Sequence, residues 1–128
     1  MLPPDCACYL INLDRSPDRL AVMSARLSAA GITFDRVPGI DGMLLSDAQF
    51  QAQTLDNRYY KPLRRGEVGC YLGHLNALQR FIASNRPFAL LLEDDVELSE
   101  GVAGLVTAAI QLRHGTQDAR LSWDVLKL

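Results

Sequence analysis

Phe88-Ala89-Leu90-Leu91-Leu92-Glu93-Asp94-Asp95-Val96 is the stretch whose reading decides the fold. Five apolar residues run unbroken into three consecutive acids, and the chain then turns apolar again. A short apolar run of this kind, entered from Arg86-Pro87, predicts a strand buried on both faces. The carboxylates then fall at its carboxyl end, where open α/β sheets hold their ligands. Three adjacent carboxylates repel one another, and that costs stability unless a cation or a positive side chain answers them. Side chains alternate along a strand, so Glu93 and Asp95 share one side and Asp94 takes the other. Two carboxylates on one side suit Mg2+ or Mn2+, which favour oxygen ligands and keep waters for a substrate's phosphates. A solvated acidic turn capping the next helix explains the same residues about equally well.

Outward from this run the chain alternates strands and helices. Cys6-Ala-Cys-Tyr-Leu-Ile-Asn12 predicts a first, central strand, followed by a turn over Asn12-Leu13-Asp14-Arg15. Ser16-Pro17-Asp18 is a helix start, with Ser as N-cap and Pro at the first helical position. Leu20, Met23 and Leu27 form its apolar stripe, and Gly31 ends it. Ile32 to Val37 alternates and predicts a second strand, parallel to the first across a right-handed crossover. The connection from Pro38 to Arg65 is long enough to be functional or mobile, with a short helix opening at Ser46. A long helix from Gly66-Glu67 to about Ser84 carries Leu75, Leu78 and Ile82 on one stripe. A further helix follows from Val102 to Leu112, with Val102, Leu105, Ala109 and Leu112 at helical spacing. Ser122-Trp-Asp-Val-Leu-Lys-Leu128 predicts one more strand, begun where the sequence stops, so the expectation is one domain over residues 1–128, incomplete at its carboxyl end.

Composition excludes several classes. The 128 residues are 48% apolar and 22% charged, with 13 basic against 15 acidic residues and a net charge of −2. That is the profile of a globular domain and gives no basic face for nucleic acid. No apolar run approaches bilayer length, and Met1-Leu-Pro-Pro-Asp5 does not open a secretory signal, so a cytoplasmic chain is expected. Cys6, Cys8 and Cys70 are an odd number without zinc spacing, and small buried thiols are the expected role of all three.

Three blocks together carry a family likeness: Tyr9-Leu-Ile-Asn-Leu-Asp-Arg-Ser-Pro-Asp-Arg-Leu20, Gly66-Glu-Val-Gly-Cys-Tyr-Leu-Gly-His-Leu75 and Ala89-Leu-Leu-Leu-Glu-Asp-Asp-Val96. In order and separation they resemble glycosyltransferase family 25, the bacterial lipopolysaccharide and lipooligosaccharide glycosyltransferases that also include the collagen galactosyltransferases. Gly73 is a departure, because the family usually has Ser before the His. The resemblance implies a GT-A fold, a Rossmann-like and mainly parallel sheet flanked by helices, of which this chain is an amino-terminal, nucleotide-sugar-binding portion. It places Glu93-Asp94-Asp95 as an Asp-x-Asp-type motif holding Mn2+ or Mg2+, with Asp95 the direct ligand and Glu93 assisting directly or through water. It further implies a UDP-sugar donor, most often UDP-galactose, a saccharide or lipooligosaccharide acceptor, and work in the cytoplasm at the inner face of the bacterial inner membrane, with peripheral membrane association.

Asn12, Asp14, Arg15, Arg19 and Asp94 are the residues expected to face the nucleotide; for Arg19 an ordinary surface charge is at least as good a reading. Inversion by direct displacement needs a general base for the acceptor hydroxyl. The family pattern places it beyond Leu128; within the chain His74 and Glu67 are the candidates. A hydrogen-bonded histidine at the core edge is slightly the better reading of His74, and helix capping explains Glu67 as well as sugar contact does. Lys61, Arg64 and Arg65 could hold phosphate, although such clusters are usually solvated. Two alternatives stand beside the transferase: a fragment that binds nucleotide without transferring sugar, and a phosphoacceptor signalling domain. The second fits poorly, because the acidic pair of such domains follows the first strand.

Overall fold

The computed structural model describes residues 1–115, 117–120 and 122–128. Its elements are β1 (Cys6–Asn12), α1 (Pro17–Ala29), β2 (Asp35–Pro38), a 3-10 turn (Gly42–Leu44), α2 (Asp47–Thr54), α3 (Arg65–Ser84), β3 (Phe88–Glu93) and α4 (Val102–Gly115). The strands form one parallel sheet in the order β2-β1-β3, so β1 is central as expected. Ile11 of β1 is in register with Val37 on one side and Glu93 on the other.

Alternation along β1 builds the layers. Cys8 and Leu10 pack with Met23 and Leu27 of α1 and Val102 of α4, and Cys6 packs with Val106 and Ile110. Ala7 and Tyr9 point to the opposite face, against Ala77 and Phe81 of α3. Leu10, Met23 and Leu27 are wholly buried, each contributing about 2–3 kcal/mol of apolar burial. The helices of successive connections therefore cover opposite faces. Such a doubly wound sheet leaves a crevice beyond the carboxyl ends of β1 and β3, the switch point at which these folds take ligands.

Local chemistry explains where elements stop. Gly31 adopts a left-handed φ of 66°, its N–H donates to Ser28 O at 3.0 Å and that of Ile32 to Leu27 O at 2.8 Å. This Schellman motif closes α1 and folds Ile32 into the core, so β2 begins at Asp35 rather than Ile32. Ser16 occupies the N-cap of α1, but its hydroxyl makes no capping hydrogen bond; Ser46 does cap α2, in a reciprocal box with Gln49. β3 is half-buried rather than buried on both faces, because among the described residues β1 is its sole strand neighbour.

Of the apolar stripes expected on the last two helices, Val102 alone is buried. α3 buries Val68, Gly69, Gly73 and Ala77, leaving Leu78 and Ile82 exposed. α4 buries Val102, Val106 and Ile110, while Leu105 and Leu112 are half-exposed. The expected strand over 122–128 is also absent from its described residues. There Trp123 meets Phe88 at a ring separation of 5.9 Å and its carbonyl accepts from Arg113 Nε at 2.9 Å, which half-buries the residue without a strand ladder.

Cys6 and Cys8 are buried as expected, whereas Cys70 is exposed. Burial pushes the Cys6 thiol above its ordinary value and the Cys8 thiol up to about 12. A disulfide reagent should therefore titrate one thiol in the native protein and all three only after denaturant is added. Two fast native equivalents would contradict this packing.

Candidate active site

The crevice at the ends of β1 and β3 is a cleft of about 270 Å3, lined by the loop from Gly39 to Met43, the first turns of α3, Arg15, Arg19 and all three acids. Glycines set how closely its walls approach. A Cβ on Gly69 would stand 2.5 Å from Ile40 O, and one on Gly42 would fall on the carbonyl of Arg65. Arg65 fastens the same wall, donating to the carbonyls of Gly42 and Leu45 and to Asp47, with its guanidinium 5.0 Å above the Phe50 ring. That commitment removes Arg65 from the cluster expected to hold phosphate. A larger concavity of about 400 Å3, walled by Phe50, Thr54 and residues 57 and 59–63, carries no carboxylate or imidazole, so the groups able to hold a divalent cation belong to the switch-point cleft.

Two of the three acids are answered, each by different partners, and among the described residues the third is not. Glu93 faces α3, where its Oε1 lies 2.8 Å from His74 Nε2 and 3.4 Å from Cys70 Sγ; a carboxylate only accepts, so the ring hydrogen sits on Nε2. The His74 hydrogen bond, helped by Cys70 and the charge of the imidazole, holds the Glu93 carboxyl below its usual range. Asp94 points to β1 and α1, accepting from Asn12 Nδ2 at 2.7 Å and Arg19 Nη1 at 3.4 Å. Asp95 is exposed and, among the described residues, has no hydrogen-bond or ion-pair partner. It lies close enough to Cys70 for its charge, after burial and the Glu93 contact, to help push that thiol up.

Asn12 is buried at 2% exposure and acts as a junction. Its Nδ2 donates to Ser16 O as well as Asp94, and its Oδ1 accepts from Arg36 Nε at 3.0 Å. It thus positions Asp94 from behind the cleft rather than lining it. Asp14 is drawn away by Arg36 at 2.6 Å and is 82% exposed; it does not line the cleft. Arg15 reaches the wall through Asp41 at 2.7 Å. Glu67 is likewise outside: its carboxylate accepts from Arg64 N–H at 2.6 Å, capping α3, and pairs with Lys61. Sequence reasoning missed Cys70 and Asp41; the four-residue spacing of Cys70 and His74 on one helix face was the available signal.

Asn12→Ala strands Asp94, Arg36 and the Ser16 carbonyl together. It should cost about 2–3 kcal/mol in urea unfolding, since each buried unmet partner costs about 1–3 kcal/mol before water repairs part of it. A loss under about 0.5 kcal/mol would mean that the junction is not maintained in solution.

A parallel, doubly wound sheet with an acidic cleft at its switch point defines a Rossmann-like α/β domain and is consistent with a glycosyltransferase fold. The chain belongs to glycosyltransferase family 25: the profile described as "Glycosyltransferase family 25 (LPS biosynthesis protein)" matches residues 6–122. A "Glycosyltransferase 25 family member" of Anopheles gambiae is 33% identical over 95 residues, covering 69% of this chain and 16% of the relative. "Inactive glycosyltransferase 25 family member 3" of Homo sapiens is 30% identical over 127 residues, covering 94% and 21%. "Procollagen galactosyltransferase 2" of Homo sapiens is 28% identical over 125 residues, covering 92% and 20%. The chain therefore spans about a sixth to a fifth of the length of these relatives. No helix among the described residues is long and apolar enough to cross a membrane.

Proposed function

We propose that residues 1–128 form the amino-terminal, nucleotide-sugar-binding portion of a metal-dependent inverting hexosyltransferase. The observation that carries this is the placement of Glu93 and Asp95 in the switch-point cleft, with Asp95 unanswered by any described side chain. The donor set fits Mn2+ or Mg2+: two carboxylates, a half-open cleft, and room for water and diphosphate oxygens. When bound, such an ion supplies Lewis-acid stabilisation to the departing diphosphate.

The chain's own groups have distinct parts in this reading. Glu93 and Asp95 hold the ion, and Arg15 and Arg19 present positive charge along the opposite wall for the nucleotide phosphates. Asn12 orients Asp94, which keeps Arg19 over the cleft. In transfer, the acceptor hydroxyl oxygen bonds to the anomeric carbon as the bond from that carbon to the diphosphate oxygen breaks, and UDP leaves. The acceptor proton passes to a base. Glu67 is unsuited to that role, being spent on the cap of α3 outside the cleft. UDP-galactose as donor is supported by the relatives named procollagen galactosyltransferase, and a lipopolysaccharide-type acceptor by the family's description as an LPS biosynthesis protein.

Calorimetry should show UDP binding with Mn2+ and its loss with a chelator; equal affinity in both would remove Glu93 and Asp95 from the role of metal ligands. Label from UDP-galactose appearing in a saccharide acceptor would establish transfer. The human relative named inactive favours a second reading, nucleotide binding without transfer. Metal-dependent binding with no label in acceptor would establish that one.

A further inference from the structure

Cys70 and His74 lie one turn apart on α3, and both face Glu93 at the end of β3. One donor atom from each (Cys70 Sγ, a His74 ring nitrogen and a Glu93 oxygen) falls within 4.8 Å of the other two. We propose that these three side chains form a binding site for a thiophilic divalent cation of the Zn2+ class, and that the ion competes with the nucleotide-linked metal for Glu93. The competition rests on the proposed nucleotide-sugar function; the site itself does not.

Chemistry and dimensions agree. Bond lengths of about 2.3 Å to sulfur and about 2.0 Å to nitrogen and oxygen require sulfur–oxygen separations near 3.5 Å and nitrogen–oxygen separations near 3.3 Å around a tetrahedral ion. The Cys70–Glu93 distance is already 3.4 Å, and the His74–Glu93 distance of 2.8 Å must open by about half an ångström. Both His74 and Glu93 are partly exposed, at 39% and 46%, so their side chains can swing apart without moving the core. On binding, the thiol proton and the Nε2 proton of the charged imidazole leave to solvent, freeing Sγ and Nε2 as ligands. Asp95 lines the same cleft as the three donors. Thiolate and imidazole select Zn2+ over Mg2+, whereas the two carboxylates alone do not.

Cobalt(II), which takes the same geometry, is the probe for the intact chain. Titration should raise a thiolate-to-cobalt charge-transfer band in the near ultraviolet, which Zn2+ bleaches by displacement and excess Mg2+ does not. Cys70→Ser should abolish the band and His74→Ala should weaken cobalt binding at least about tenfold, while Cys6→Ala/Cys8→Ala keeps it. Absence of the band in the wild-type chain, or its persistence in Cys70→Ser, would overturn the site. Zn2+ leaving Mn2+-dependent UDP binding unchanged would overturn the competition alone. If UDP fails to bind with Mn2+ while the cobalt band forms and depends on Cys70, the site stands and the donor-binding function falls.

Discussion

Glu93→Gln is expected to lower Mn2+-dependent UDP affinity at least about a hundredfold, a change of about 2.8 kcal/mol, while leaving the unfolding midpoint nearly unmoved. The side chain is half-exposed, so losing its charge removes little from the folded state; the amide is isosteric and can still accept from His74 Nε2. What the amide lacks is the charge that draws a hard divalent cation out of water. Asp95→Asn should do the same, because it removes the other oxygen donor proposed for the ion. Asp94→Asn should behave differently. Asp94 is held by Asn12 and Arg19 on the far side of the strand end, so its loss should perturb the phosphate wall and cost affinity within about tenfold. Calorimetric titration of UDP in Mn2+ separates the three variants. Wild-type affinity in Glu93→Gln beside a collapse in Asp94→Asn would put the ion on the β1 side of the strand.

The legible parts of this chain were those where one residue type has one local consequence. Pro17 and Gly31 bound α1 because proline suits the first helical turn and glycine the left-handed exit, and both work without knowledge of the rest of the fold. The apolar run at Phe88 ends at Glu93 because the acids must reach solvent. α3 was harder for a physical reason: hydrophobic periodicity ranks Leu75, Leu78 and Ile82 above glycine, yet the face that meets the sheet contains Gly69 and Gly73, which permit close backbone approach. Periodicity therefore points Leu78 and Ile82 inward, whereas both are exposed. On α4 the four-residue spacing of Val102, Val106 and Ile110 was present but obscured by leucines at 105 and 112. Ser122 to Leu128 has strand-like composition, but a strand exists only with a partner, and sequence composition does not supply one. In the site, the acids were visible and their separate fates were not. Asp14 is diverted by an arginine on β2 and Glu93 is engaged by a helix roughly twenty residues earlier, and both depend on tertiary placement.

Gly42→Ala should produce the largest loss of stability of any methyl addition in the chain, about 3 kcal/mol or more, and should weaken UDP binding with it. The effect is not conformational, because Gly31 and Gly101 are the glycines with positive φ, and Gly42 lies in a backbone region open to alanine. It is a matter of space. The new Cβ would fall on the Arg65 carbonyl and 3.1 Å from Gly66 N, backbone on the rigid first turn of α3, where no side chain can rotate away. Relief requires the loop from Gly39 to Met43 to lift, taking with it the Asp41 that holds Arg15 at the cleft and the Gly42 carbonyl that accepts from Arg65. Stability and donor affinity should then fall together. Gly104→Ala is the matched control: it lies within α4 with no atom within 4 Å of an added Cβ, so alanine should stabilise the helix by up to about 1 kcal/mol. Urea midpoints moving in opposite directions for the two substitutions would tie the cleft's shape to the Gly42–Arg65 contact. An unshifted midpoint for Gly42→Ala would show that the loop and α3 do not pack so closely in solution, and the cleft wall built from them would have to be redrawn.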